Sequence, residues 1–219
     1  MKNPLIRPGK VIHFVTDLLN PVMHFKRAYS ISLAVLGVMY SDRLSIAAVG
    51  RSQACVRGTS PKHGIKQIDR LLSNQKFDVE AGFAVTVPWL VAGRKEIVTS
   101  LDWTEYAADG HSRIAVNLVT AHGRATPLVW KTVKTKRLKK RRNKYEDDVL
   151  YLLADVLPKG VNVILLADRG FGDIKLYEFL KGDLGWDFVI RFRAGIHVKN
   201  SDGEVAPAGD WVPSNGWIR

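Results

Sequence analysis

The sequence predicts an α/β fold in which a mixed sheet flanked by helices follows a small helical region. Three observations carry this. Residues 96–102 alternate, with Ile97, Thr99 and Leu101 on one face and Val98, Ser100 and Asp102 on the other, the period of a strand. At Val149, Leu152, Leu153, Val156 and Leu157 the period changes to that of an amphipathic helix. Residues 161–167 then form a nearly unbroken apolar run, as expected of a strand buried on both faces.

The elements follow in order. Residues 4–88 read as short helices broken at Pro21, Gly37, Gly58 and Pro61, with helix starts at Ser41-Asp42 and Ser60-Pro61. After Pro61, Ile65, Ile68 and Leu72 share one face, while Lys62, Lys66 and Arg70 lie on another. Basic short helices suit a DNA-binding module, and a helical bundle with a solvated basic face explains them as well. After the strand at 96–102 comes a turn rich in Ala, Asp and Gly ending near Gly110. Strands over 113–120 and 125–133 complete an antiparallel meander. The amphipathic helix carries Glu146, Asp147 and Asp148 near its N-terminal end and is stopped by Pro158 and Gly160. The apolar strand, a helix over 173–180 and a strand over 186–192 follow. Three strands, then helix, strand, helix, strand, is the order of an RNase H-like core. The expected division is a helical region over 1–92 that binds DNA, a core over 93–193 and a β-rich segment opening over 194–219.

Charge narrows the partners. The 33 Lys and Arg against 21 Asp and Glu leave a net charge of +12, an excess that favours a polyanion, nucleic acid first. The single cysteine, Cys55, excludes an intramolecular disulfide and a Cys-rich zinc site, and fits a reducing cytosol. The longest apolar run, 31–40, is too short to span a bilayer, so no membrane is expected.

Asp102 ends the first predicted strand and Asp168 directly follows the apolar one. In α/β sheets functional groups gather at the carboxyl ends of strands, so both aspartates stand where a site forms. If the two strands are neighbours, the carboxylates converge, and a hard cation such as Mg²⁺ or Mn²⁺ relieves their repulsion. Either Asp could instead cap a turn. Trp103 reads as core or site wall, and Glu105 and Asp109 as solvent-facing turn residues. His63, His111 and His122 show no metal-ligand spacing, and Gly170 and Gly172 read as positions of unusual backbone angle.

Local words decide between these readings. Leu101-Asp102-Trp103-Thr104, Gly123-Arg124-Ala125-Thr126-Pro127-Leu128 and Leu166-Ala167-Asp168-Arg169-Gly170-Phe171-Gly172 resemble, in this order, successive blocks of bacterial insertion-sequence transposases of the DDE type. Within that family the resemblance is to the group whose third acidic residue lies in a Tyr-Arg-Glu-Lys signature. Phe188-Val189-Ile190-Arg191 and the stretch around Ile68-Asp69-Arg70-Leu71-Leu72 match further blocks, so about residues 40–193 are covered. The resemblance implies that Asp102 and Asp168 are the first two catalytic carboxylates and bind Mg²⁺ or Mn²⁺. It implies hydrolytic nicking at element ends, then attack of the freed 3′-hydroxyl on target DNA. The implied partners are double-stranded DNA of the terminal repeats and target, and a second copy of the chain, in a bacterial cytoplasm beside the nucleoid.

The third residue of the pattern is a Glu on a helix beyond the last core strand. After Arg193 the carboxylates are Asp202, Glu204 and Asp210, and residues 200–204 read as a hairpin turn. The chain is therefore expected to be an incomplete transposase, inactive alone. A non-catalytic DNA-binding fragment competing for element ends and an RNase H-like nuclease are the other readings. A second DNA signal is independent of the resemblance: Lys131, Lys134, Lys136, Arg137, Lys139, Lys140, Arg141, Arg142 and Lys144 follow one another without an acidic residue. The run is expected to be an exposed, mobile connection contacting phosphates. Arg169 could clamp a phosphate or pair with the aspartates.

Overall fold

The computed structural model describes residues 7–121, 123, 125–191 and 193–211. The sequence readings at Pro4, His122, Arg124, Phe192 and 212–219 lie outside them. Chain packing divides the molecule between Thr86 and Val87, and each unit is described by itself.

The first unit is helical: α1 (Pro8–Leu19), α2 (Phe25–Tyr40), α3 (Ile46–Arg57) and α4 (Pro61–Leu72), each packing on the next. The Ser60-Pro61 start holds, with Pro61 in the first turn of α4. The Ser41-Asp42 start does not. Those residues form the turn between helices, and Ser45 caps α3 by accepting the Ala48 N–H at 3.2 Å. Gly58 ends α3 in the left-handed conformation, as its position suggests. Gly37 is no break: it lies inside α2, where an added Cβ would stand 2.6 Å from the Val49 carbonyl oxygen. Gly64 serves the same purpose between α3 and α4, since its Cβ would come 2.2 Å from the Gly50 carbonyl oxygen. These glycines let the helix backbones touch, a tertiary use that no local pattern announces. The buried side of α4 accordingly runs through Gly64, Ile68 and the half-buried Leu71, while Leu72 is exposed.

Helix α5 (Val79–Val91) continues through Pro88, which was read as an end, and crosses the division between units. The second unit is built on a five-stranded sheet of order β3-β2-β1-β4-β5. Its strands are β1 (Glu96–Tyr106), β2 (His111–Val119), β3 (Ala125–Lys134), β4 (Asn162–Ala167) and β5 (Asp187–Ile190). The first three form the antiparallel meander, and β4 and β5 join parallel through α6 (Arg142–Val156) and α7 (Ile174–Glu178). This is the RNase H-like order expected from sequence. Pro127 cannot donate to the ladder; it sits on the edge strand, opposite a register shift between Val116 and Asn117.

One sheet face is the core. Ile97, Leu101, Ile114, Val116, Val163 and Leu165 are buried on it, with Val149, Leu150 and Leu153 of α6 buried in the same unit. The opposite face is less covered: Val98, Ser100, Ile164 and Leu166 are half-buried. The expectation that β4 is buried on both faces is thus corrected, since Val163 and Leu165 are buried while Ile164 and Leu166 are only half-buried. Beyond β5 a hairpin of β6 (His197–Lys199) and β7 (Val205–Pro207) turns at 200–204 as expected. There Asn200 Oδ1 accepts the N–H groups of Asp202 at 3.0 Å and Glu204 at 2.9 Å.

Candidate active site

The parallel pairing of β1 with β4 ends at Leu101 opposite Ala167, so the next residues along the two strands are Asp102 and Asp168. The strands are neighbours, and both carboxylates follow the last paired position. Asp102 is not, however, at the end of its own strand: β1 continues to Tyr106 against β2 alone. Alternation puts Asp102 on the half-covered face with Val98 and Ser100, away from α6. Asp168 leaves β4 with an extended backbone and both aspartates are exposed.

Asp168 also caps a turn. Its Oδ1 accepts the Gly170 N–H at 2.8 Å, which fixes the carboxylate at the carboxyl end of β4 and leaves Oδ2 without a hydrogen bond among the described residues. A side chain at position 170 would make the Asp168 carboxylate shift. A Cβ on Gly170 would stand 2.9 Å from Asp168 Oδ1, and neither Gly170 nor Gly172 has a positive φ. Asp102 makes no side-chain hydrogen bond or ion pair with any described residue.

Two further groups adjoin the aspartates. The Arg191 N–H donates to the Ala167 carbonyl at 3.2 Å, extending the β4–β5 pairing one step and bringing an exposed Arg beside Asp168. Trp130 shares the face of Asp102, with Ala115 between them across the β1–β2–β3 row. Arg191 stood within a quoted sequence word, yet only the parallel register gives it this neighbour. Arg169 is exposed next to Asp168 and forms no ion pair among the described residues, so the reading in which it locks the aspartates is not realised.

Trp103 points to the other face. Its Nε1 donates to Glu146 Oε1 at 2.8 Å, and the Arg142 guanidinium lies 5.2 Å from its ring centroid while pairing with Glu146 at 3.4 Å. Burial raises the Glu146 carboxyl above its ordinary value, opposed by the Trp103 hydrogen bond and by Arg142. Desolvation, with Asp148 and Asp173 nearby, raises Asp147 as well.

The basic run is more ordered than expected. Lys131 and Lys134 belong to β3, and Arg142 and Lys144 to α6, so the connection spans only 135–141 and contains a short 3₁₀ turn. Lys131 pairs with Asp148 at 3.1 Å. Lys134, Lys136, Arg137, Lys139, Lys140, Arg141 and Lys144 are exposed and make no ion pair among the described residues. Lys140 holds a positive φ of 61°, a conformation unusual for a side-chain-bearing residue.

Two oxygen-donor side chains that follow the last β1–β4 pair have the chemistry for a hard divalent cation. No group of three or more His, Cys, Asp or Glu suited to a metal occurs among the described residues, so the set is two carboxylates and not three. Glu105 and Asp109 are exposed, and Glu204 lies in its hairpin turn. No described helix is long and apolar enough to cross a membrane. A family model described as a transposase DDE domain matches residues 93–210, more than half of the chain. No curated protein matches it.

Proposed function

The chain belongs to the transposase DDE-domain family, and we propose that it is an insertion-sequence transposase whose Asp102 and Asp168 hold divalent metal while its basic surfaces hold DNA. The observation that carries this reading is the β1–β4 register, in which both carboxylates follow the last parallel pair. The substrate is double-stranded DNA at terminal repeats and target, and the reaction is phosphodiester hydrolysis followed by 3′-hydroxyl transfer. Bound between Asp102 and Asp168, Mg²⁺ or Mn²⁺ would supply Lewis-acid activation of the attacking oxygen and charge stabilisation at the leaving one.

The chain's own groups do the rest. Gly170 orients Asp168 by a backbone hydrogen bond. Arg169 beside it fits a phosphate oxygen, as do the unpaired cations of the 134–144 stretch, through contacts that add affinity without reading sequence. The N-terminal region over 1–92 supplies a further DNA-binding region. Two copies acting on paired ends, in the cytoplasm with the nucleoid, complete the reading.

With two carboxylates in place, the 219-residue chain binds metal weakly and does not cut DNA alone. The test is calorimetric titration of Mn²⁺ into the chain and into Asp102→Asn and Asp168→Asn, beside a nicking assay on a plasmid carrying the ends that flank the gene. We expect weak binding that each variant reduces by about tenfold, roughly 1.4 kcal/mol, and no nicking. Variants that titrate like the parent would remove both aspartates from the metal site, and Mn²⁺-dependent nicking would overturn the claim of inactivity.

A further inference from the structure

The helical unit contains a cleft of about 580 Å³ between the first turns of α2 and the exposed side of α4. Four permanent cations line it, Lys26 and Arg27 from α2 and Lys66 and Arg70 from α4, with His63 among them and no carboxylate. None of the four forms an ion pair among the described residues.

This placement works against the fold. Lys26 and Arg27 stand in the first turn of a 16-residue helix, the positive end of its dipole, and neither α2 nor α4 has an acidic residue in its first turn. Cations there repel both the helix end and each other, and an anion in the cleft reverses both penalties. Four fixed positive charges exceed what one small anion neutralises, and Lys66 and Arg70 are spaced about 6 Å along the helix axis, so the chemistry asks for a polyanion.

The fold engages Arg27 but makes no ion pair with Lys26, Lys66 or Arg70 among the described residues. The Gly50–Gly64 approach seats α4 on α3, and Arg27 Nη1 donates to the Lys76 carbonyl at 3.1 Å. Gln67 in the lining already accepts at its Oε1 from Gln53 at 2.7 Å and from Arg57 at 3.3 Å. Charge is the chief resource the cleft offers a polyanion, since its four cations face no carboxylate in the lining.

We propose that the α2–α4 cleft grips the sugar-phosphate backbone of duplex DNA, independently of sequence, through Lys26, Lys66 and Arg70. The proposal rests on the reading of the chain as a DNA transposase and narrows the DNA contact of the helical unit to one cleft and three side chains.

The experiment is fluorescence anisotropy of a random-sequence duplex titrated with the full chain across a KCl series. The variant Lys26→Gln/Lys66→Gln/Arg70→Gln spares Arg27 because of its bond to Lys76. Its plot of log K against log salt should be shallower by about 2 to 3, at about 0.9 per lost phosphate contact, with an unchanged thermal melt. If the triple variant melts early, Lys66→Gln alone should lower the slope by about 0.9. A second variant, Lys136→Gln/Arg137→Gln/Lys139→Gln, reports on the other unit. A cleft variant with the parental slope overturns the proposal while salt-dependent binding of the parent leaves the transposase reading standing. A parent without salt-dependent duplex binding overturns both.

Discussion

Glu146 and Asp148 on α6 each face a cation, Arg142 and Lys131 respectively, and Glu146 also accepts the Trp103 indole N–H. Asp102, one residue before that Trp, and Asp168 have no cationic partner among the described residues. The two sets lie on opposite faces of the same sheet, and their settings differ because their costs differ. A carboxylate at 7% exposure must be compensated or it destabilises the fold, so Glu146 comes with a hydrogen-bond donor and a guanidinium. A carboxylate left in water costs little and keeps its oxygens for a ligand. The cations sort in the same way: Lys131 and Arg142 are consumed by the fold, while Lys66, Arg70 and the 134–141 stretch are left over.

The widest gap between the two sets should appear on truncation. Glu146→Ala strips the acceptor from Trp103 and the partner from Arg142, and should cost about 2–3 kcal/mol. Asp102→Ala should stay within about 0.5 kcal/mol. Urea midpoints measure both, and equal losses would break the distinction between structural and free carboxylates. A smaller effect is expected at Lys131→Gln, whose ion pair is half-exposed: about 0.2–1 kcal/mol on the same measurement.

The smallest effect is a pH dependence. Burial raises the Glu146 carboxyl above its ordinary 4.5, so the folded state holds the proton more tightly than the unfolded chain. That stabilisation is full below the unfolded value and is lost as pH rises through the folded one. The melting temperature of the parent relative to Glu146→Gln, which keeps an acceptor for Trp103, should therefore fall as pH is raised from 4 towards 7. A constant difference would show that Trp103 and Arg142 fully offset burial.

Much of the sheet was legible because its signals are local. Alternation at Ile97, Thr99 and Leu101, the apolar 161–167 run and the Pro158–Gly160 stop each depend on a few adjacent residues. The helix boundaries that went astray, Ser41-Asp42 and Gly37, share a cause. Turn-forming residues were read as breaks, and tertiary contacts used them otherwise: Gly37 admits the Val49 carbonyl inside α2. The α4 stripe shifted from Leu72 to Leu71 for a related reason, since the Gly50–Gly64 contact sets the rotation of the helix.

The same boundary runs through the site. Sequence alone determined the strand-helix order of the core, the excess of positive charge and the presence of one Asp within a strand pattern and another directly after a second. These follow from periodicity and composition, which need no partner to be read. Tertiary structure alone decided that β1 and β4 are neighbours with Leu101 opposite Ala167 and that Arg191 joins Asp168 at the carboxyl end of β4. It also decided which cations are spent and that α2 and α4 enclose a cleft. Register, helix rotation and charge pairing arise between residues distant in the chain, so no window along the sequence contains them.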